Sequence, residues 1–169
     1  FESQGFSVSI AQDNPQCADM ILNHIKNKED KDRLIDIDAF KSAINIASTK
    51  IVDLIFKHHS DIESLLGEAF IHCIDKSKIE IAQQLLNKAK DKKQLLNRSD
   101  RSGYTVLMKA AKHKKEDCLL FILQELKKEQ GDDSEIIIVD SDKKEDDPEE
   151  DGKDEEKDID NQQEQERVH

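Results

Sequence analysis

The chain has 169 residues, enough for one modest domain, and its net charge of −12 is unevenly spread: residues 131–169 hold 18 acidic and 5 basic side chains, residues 1–130 hold 20 and 21. A near-neutral body leaves no electrostatic footprint for nucleic acid, and the acidic tail repels phosphate. No Trp, one Tyr and five Gly argue against a β-sandwich or barrel, and neither a membrane-length apolar run nor a basic-then-apolar opening is present.

Residues 1–15 are a poorly defined lead-in. From about residue 16 the chain repeats. Ala18 and the Ile21-Leu22 pair place one helix before residue 34. Over 35–63, Phe40 and Ala43-Ile44 mark a first helix. Ile51, Val52, Ile55 and Phe56 form the single apolar stripe of a second. Over 64–96 the same places hold Phe70, Cys73-Ile74 and Leu85-Leu86, and Glu68 stands where a capping Thr occurs in the final unit. Over 98–128 they hold Leu107, Ala110-Ala111 and Ile122-Leu123. Successive units are offset by 34, 30 and 37 residues. Extra residues after Lys26 and after Lys90 predict long loops. Lys127 and Lys128 followed by Gly131 are stop signals for the last helix. Gln124, Glu125, Lys127 and Lys128 predict that this helix faces solvent.

The final unit carries the clearest local grammar. Asp100-Arg101-Ser102-Gly103-Tyr104-Thr105 reads as a glycine turn and a threonine cap. The helix that follows begins its inner face with Leu107, Ala110 and Ala111, whose small side chains allow close packing. The spacing of Gly103, Thr105, Leu107, Ala110 and Ala111 resembles the ankyrin-repeat signature, with Val106 in place of the usual Pro. The mean offset, about 33–34 residues, is the ankyrin length. The resemblance implies an all-α helical repeat solenoid of three to four units over 16–130. It further implies a non-catalytic scaffold that holds protein partners on loop tips and first helices, without a cofactor.

Residues 131–169 read as a disordered acidic tail, because 143–169 offer only Ile159 and Val168 as aliphatics. One segment breaks the polarity. Ile136, Ile137, Ile138 and Val139 are β-favouring aliphatics followed by Asp140, Ser141 and Asp142. Such a segment suits strand addition to a partner's sheet edge, its apolar side chains in a groove and its acids on a basic rim. It resembles a SUMO-interacting motif, which implies SUMO or a SUMO-modified protein as partner.

The remaining reactive side chains assemble no site. Cys17, Cys73 and Cys118 are widely spaced and read as reduced core thiols. His58 and His59 close a helix and read as surface residues. No nucleophile triad, phosphate loop or H-E-x-x-H occurs. The leading function is therefore a protein-interaction scaffold, placed by resemblance in cytoplasm or nucleus, including a host cell's if the chain is a bacterial effector. One alternative is a regulatory fragment of a larger enzyme, consistent with Phe rather than Met at position 1. Another is an acidic histone-binding or chaperone-like protein driven by the tail. The sequence sets no oligomeric state.

Overall fold

The computed structural model describes residues 2–131, whose regular secondary structure is all helical apart from one isolated antiparallel bridge between Ser99 and Thr105. The helices are α1 (Glu2–Ala11), α2 (Pro15–His24), α3 (Lys28–Leu34), α4 (Ile37–Asn45), α5 (Thr49–His58), α6 (Glu63–Asp75), α7 (Ile79–Lys88), α8 (Lys92–Leu96), α9 (Val106–Lys112) and α10 (Glu116–Glu129). Four hairpin pairs stack: α1–α2, α4–α5, α6–α7 and α9–α10. The first helices touch in the order α1, α4, α6, α9. The second helices touch in the order α2, α5, α7, and α8 then stands between α7 and α10.

Each pair closes through the same turn. Asp13, Ala47, Ser77 and Lys114 have φ of 46°, 59°, 55° and 52°, and are 34, 30 and 37 residues apart. The following amides of Asn14, Ser48, Lys78 and Lys115 donate to the carbonyls of Ser9, Ala43, Cys73 and Ala110, at 2.8, 3.1, 2.8 and 2.9 Å. This pattern is the Schellman motif, which satisfies the orphan carbonyls of the first helix while reversing the chain. A left-handed conformation without glycine costs roughly 1 kcal/mol or more, so stacking must over-determine it four times.

The core runs along the stack. Phe6, Phe40 and Phe70 occupy one register position and are fully buried. Each such side chain contributes on the order of 2–3 kcal/mol by leaving water. Phe56 meets Phe40 edge-on at 6.0 Å between ring centres. Ala18, Leu22, Val52, Ile55, Ala82, Leu85, Leu86 and Ile122 fill the second-helix layer. Helix starts are fixed by side-chain caps. Asn14, Asp36, Ser48, Asp91 and Thr105 accept from the amides of Cys17, Ala39, Ile51, Gln94 and Met108.

Several expectations change. Residues 2–11, within the lead-in, are a helix that pairs with α2. The loops expected after Lys26 and Lys90 hold helices α3 and α8. Ile35 behind α3 and Leu95 and Leu96 on α8 are buried, and burying them requires paired backbone. Asp32 on α3 accepts from both the amide and the hydroxyl of Ser60. Glu125 is buried rather than solvent-facing, neutralised by Lys128 at 2.7 Å. The side chains of His58 and His59 are only 7% and 8% exposed, because Asp19 and Asp32 reach them from the preceding pair and its connection, at 2.9 and 4.0 Å. Cys73 and Cys118 are buried, but Cys17 is exposed on the first turn of α2. Burial pushes the Cys73 thiol up to about 12, a value at which it is inert. The tail segment 136–142 lies outside the described residues.

Candidate functional site

A groove of about 530 Å³ lies on the first-helix side. It is lined by Lys41 of α4, by Glu68, His72 and Asp75 of α6, by the 98–102 connection, and by Lys109 of α9. Helical period explains the α6 contribution. Glu68, His72 and Asp75 are spaced at i, i+4 and i+7 and so share one face, while Phe70, Cys73 and Ile74 share the buried one.

A ladder of charge crosses three pairs. Glu68 takes Lys41 at 3.3 Å and Arg101 at 3.1 Å. Arg101 first and Lys41 second hold the Glu68 carboxyl below its ordinary value. Lys109 meets Asp100 at 3.0 Å. Lys109, and then the amides of Tyr104 and Ser102, hold Asp100 below the usual carboxylate range. His72 hydrogen-bonds Asn45 at 2.8 Å. Burial first, then the charges of Lys76 and Lys41, lower the His72 imidazolium's pKa, so the ring is neutral at pH 7.

The wall nearest the last pair is a small finger. The Ser99–Thr105 bridge closes it, and the Asp100 amide donates to the Tyr104 carbonyl at 2.9 Å. Asp100 accepts from the amides of Ser102 and Tyr104 at 2.8 and 3.0 Å, an Asx turn that folds the tip. Gly103 has φ of 79° with open space around it, so backbone conformation alone requires glycine there.

The residues of the final unit fall as follows. Gly103 makes the finger turn, and Thr105 caps α9 through the Met108 amide at 3.2 Å. Ala110 and Val106 are fully buried, and Leu107 packs partly against the core. Ala111 is exposed, contrary to the inner-face reading. The matching Ile44 and Ile74 are buried. Each of these belongs to a pair with another stacked after it, whereas none follows α9–α10 among the described residues. From sequence, Glu68 sits in the register of the capping Thr105, but nothing there joins it to Lys41, Arg101 and Lys109; the same register places His72 with Lys109.

Among the described residues no group of three or more His, Cys, Asp or Glu side chains is placed to hold a metal ion, and no helix is long and apolar enough to cross a membrane. Compared with known families, residues 39–133 match ankyrin repeats in three copies. These span the α4–α5, α6–α7 and α9–α10 pairs. No curated protein and no solved structure matches the chain.

Proposed function

This chain belongs to the ankyrin-repeat family, a protein–protein interaction module, and we propose that it is a non-catalytic adaptor with two attachment points. The first is the groove from Lys41 to Lys109. The observation that supports it is the ladder Lys41–Glu68–Arg101, which joins three successive pairs into one polar surface that a ligand laid across the stack would read.

The second attachment point is the tail segment Ile136, Ile137, Ile138 and Val139, with Asp140, Ser141 and Asp142 at its flank. SUMO, free or on a modified protein, is the partner its pattern fits: four aliphatics for an apolar groove, then acids for a basic rim. Phosphate on Ser134 or Ser141 adds charge beside the same core and strengthens that rim contact. Two modest contacts on one chain act together through effective concentration. We place the boundary between the repeat body and the tail near Gly131, which limited proteolysis would report as a resistant fragment ending there.

The tail reading is tested by titrating labelled SUMO with a peptide of residues 132–145 and following NMR shifts. Affinity on the order of micromolar to tens of micromolar is expected. Changing Ile137, Ile138 and Val139 to Ala abolishes it. Changing Asp140 and Asp142 to Asn weakens it mildly and reduces its salt dependence. No shift at millimolar peptide removes SUMO as partner. The groove reading is tested by affinity capture with the full chain, the chain ending at Gly131, and the Lys41→Glu, Lys109→Glu double variant. A groove partner survives truncation and is lost with the double variant; capture unchanged by that variant rejects the groove.

A further inference from the structure

Gly67 stands in the middle of α6 and is buried. Glycine weakens a helix interior, and its φ here is not in the left-handed region, so conformation does not demand it. Space does. A Cβ at this position would lie 2.6 Å from Nε and 2.8 Å from Cζ of Arg98. The Arg98 side chain therefore rests against the α6 backbone in the volume that any other residue at 67 would fill. The missing methyl group leaves room for that guanidinium, which lines both the main groove and the cleft beside α8.

Arg98 is the exception among the groove charges. Lys41 and Arg101 share Glu68, and Lys109 takes Asp100. Asp75 has Lys76 at 4.0 Å. Glu63 and Asp91, which line the adjoining cleft, accept the backbone amides of Lys90 and Gln94 at 3.1 and 2.8 Å. The Arg98 guanidinium has no carboxylate or carbonyl partner among the described residues. The groove thus presents paired acids and one exposed cation, Arg98, without a partner among the described residues.

We infer that the groove takes an acidic peptide segment of a partner protein, one of whose Asp or Glu carboxylates receives the two-pronged guanidinium of Arg98. The inference rests on the groove being the partner-binding surface. A planar guanidinium recognises a planar carboxylate through two parallel hydrogen bonds, which a lysine cannot reproduce. A polyanion such as nucleic acid is disfavoured, because Lys41, Arg101 and Lys109 are already engaged by Glu68 and Asp100, which leaves Arg98 alone for a phosphate. The buried Ile71 beneath the α6 face gives the peptide an apolar floor.

The experiment pans a displayed library of random twelve-residue peptides on the full chain, then measures selected peptides by fluorescence anisotropy and by amide shifts of the labelled protein. Peptides with Asp or Glu at one fixed position are expected. Changing that acid to its amide, or Arg98→Gln, should each cost about tenfold or more, and the two together little further. Arg98→Lys should recover only part. Gly67→Ala should weaken binding although its melting temperature does not fall, a result that loss of folding cannot mimic. Lys50→Gln, exposed on α5, should change nothing. Peptides that shift groove amides without an acidic preference and ignore Arg98→Gln overturn the anchor but keep the groove. Peptides that shift no groove amide overturn the groove reading and the anchor with it. Tighter binding of a phosphoserine peptide, or competition by a single-stranded oligonucleotide, overturns the acidic peptide in favour of phosphate.

Discussion

In the α9–α10 pair, Thr105 caps the first helix, Gly103 turns the finger before it, and Ala110 lets the helices close. The α1–α2 pair has no finger, and Ser9 stands where Ala110 does. The Ser9 hydroxyl turns back onto the Phe6 carbonyl at 2.6 Å and so is satisfied within its own helix. Yet both pairs make the same left-handed turn with the same backbone bonds. The family match covers the later pair and begins only at residue 39. One shape is reached from local turn chemistry in the last pair and from buried volume in the first.

The largest expected effect tests the tight packing of the last pair. Ala110→Asp should destabilise by roughly 3–5 kcal/mol, since the site is fully buried and offers no partner for the charge. Ala111→Asp, one residue on and exposed, should stay within about 0.5 kcal/mol. Urea unfolding midpoints separate the two, and equal losses would mean that the observed register is wrong. Phe6→Ala probes the first pair in the same way. If buried volume alone holds that pair, the loss should reach about 3 kcal/mol or more. A loss under about 1 kcal/mol would show that α1 is frayed from the stack.

Smaller changes sharpen the contrast. Thr105→Ala removes a cap from the pair that relies on local chemistry, and should cost about 1 kcal/mol in thermal unfolding. Ala47→Gly relieves a left-handed alanine in a pair that lacks the finger, and should gain about 0.5–1 kcal/mol. The smallest effect is in pH. Burial lowers the His72 imidazolium in the folded state, so the unfolded chain binds the proton first. Stability is then complete above the ordinary value of 6.5 and declines as pH falls below it toward the folded value. Asp19 and Glu68 are lowered too, by His58 and Lys57 and by Arg101 and Lys41. Their contributions are complete above 3.8 and 4.5 and are lost only as pH falls below those values, through the lower folded ones. His72→Asn should flatten the melting temperature just below pH 6.5 and leave the acid limb unchanged.

How much of this was legible follows from what each residue type reports. The small or apolar pairs at 43–44 and 73–74 and the aliphatic pair at 85–86 disclosed the helix pairs because helical burial imposes its own period. The first helix at 2–11 was missed although Phe6, Ser9 and Ile10 repeat the spacing of Phe40, Ala43 and Ile44. Its exposed Val8 and its buried Ser9 blur the apolar stripe that marks the other first helices. Helices α3 and α8 were read as loops because each is under two turns long and is held by neighbours, which local sequence does not contain. The groove was invisible for a related reason. Lys41, Glu68 and Arg101 are ordinary surface charges until stacking brings three distant stretches together.

Helix α8 alters the joint before the last pair. On the first-helix side α6 meets α9 directly, but on the other side a five-residue helix is wedged between α7 and α10. Any rocking of the last pair would therefore turn about the α6–α9 seam, where helix meets helix directly. Glu68 and Arg101 face each other across this seam at 3.1 Å. A ligand seated there would act as a splint, trading the rocking freedom of one pair for affinity, and amide exchange in α9 and α10 would slow on binding while that in α1 and α2 stayed the same.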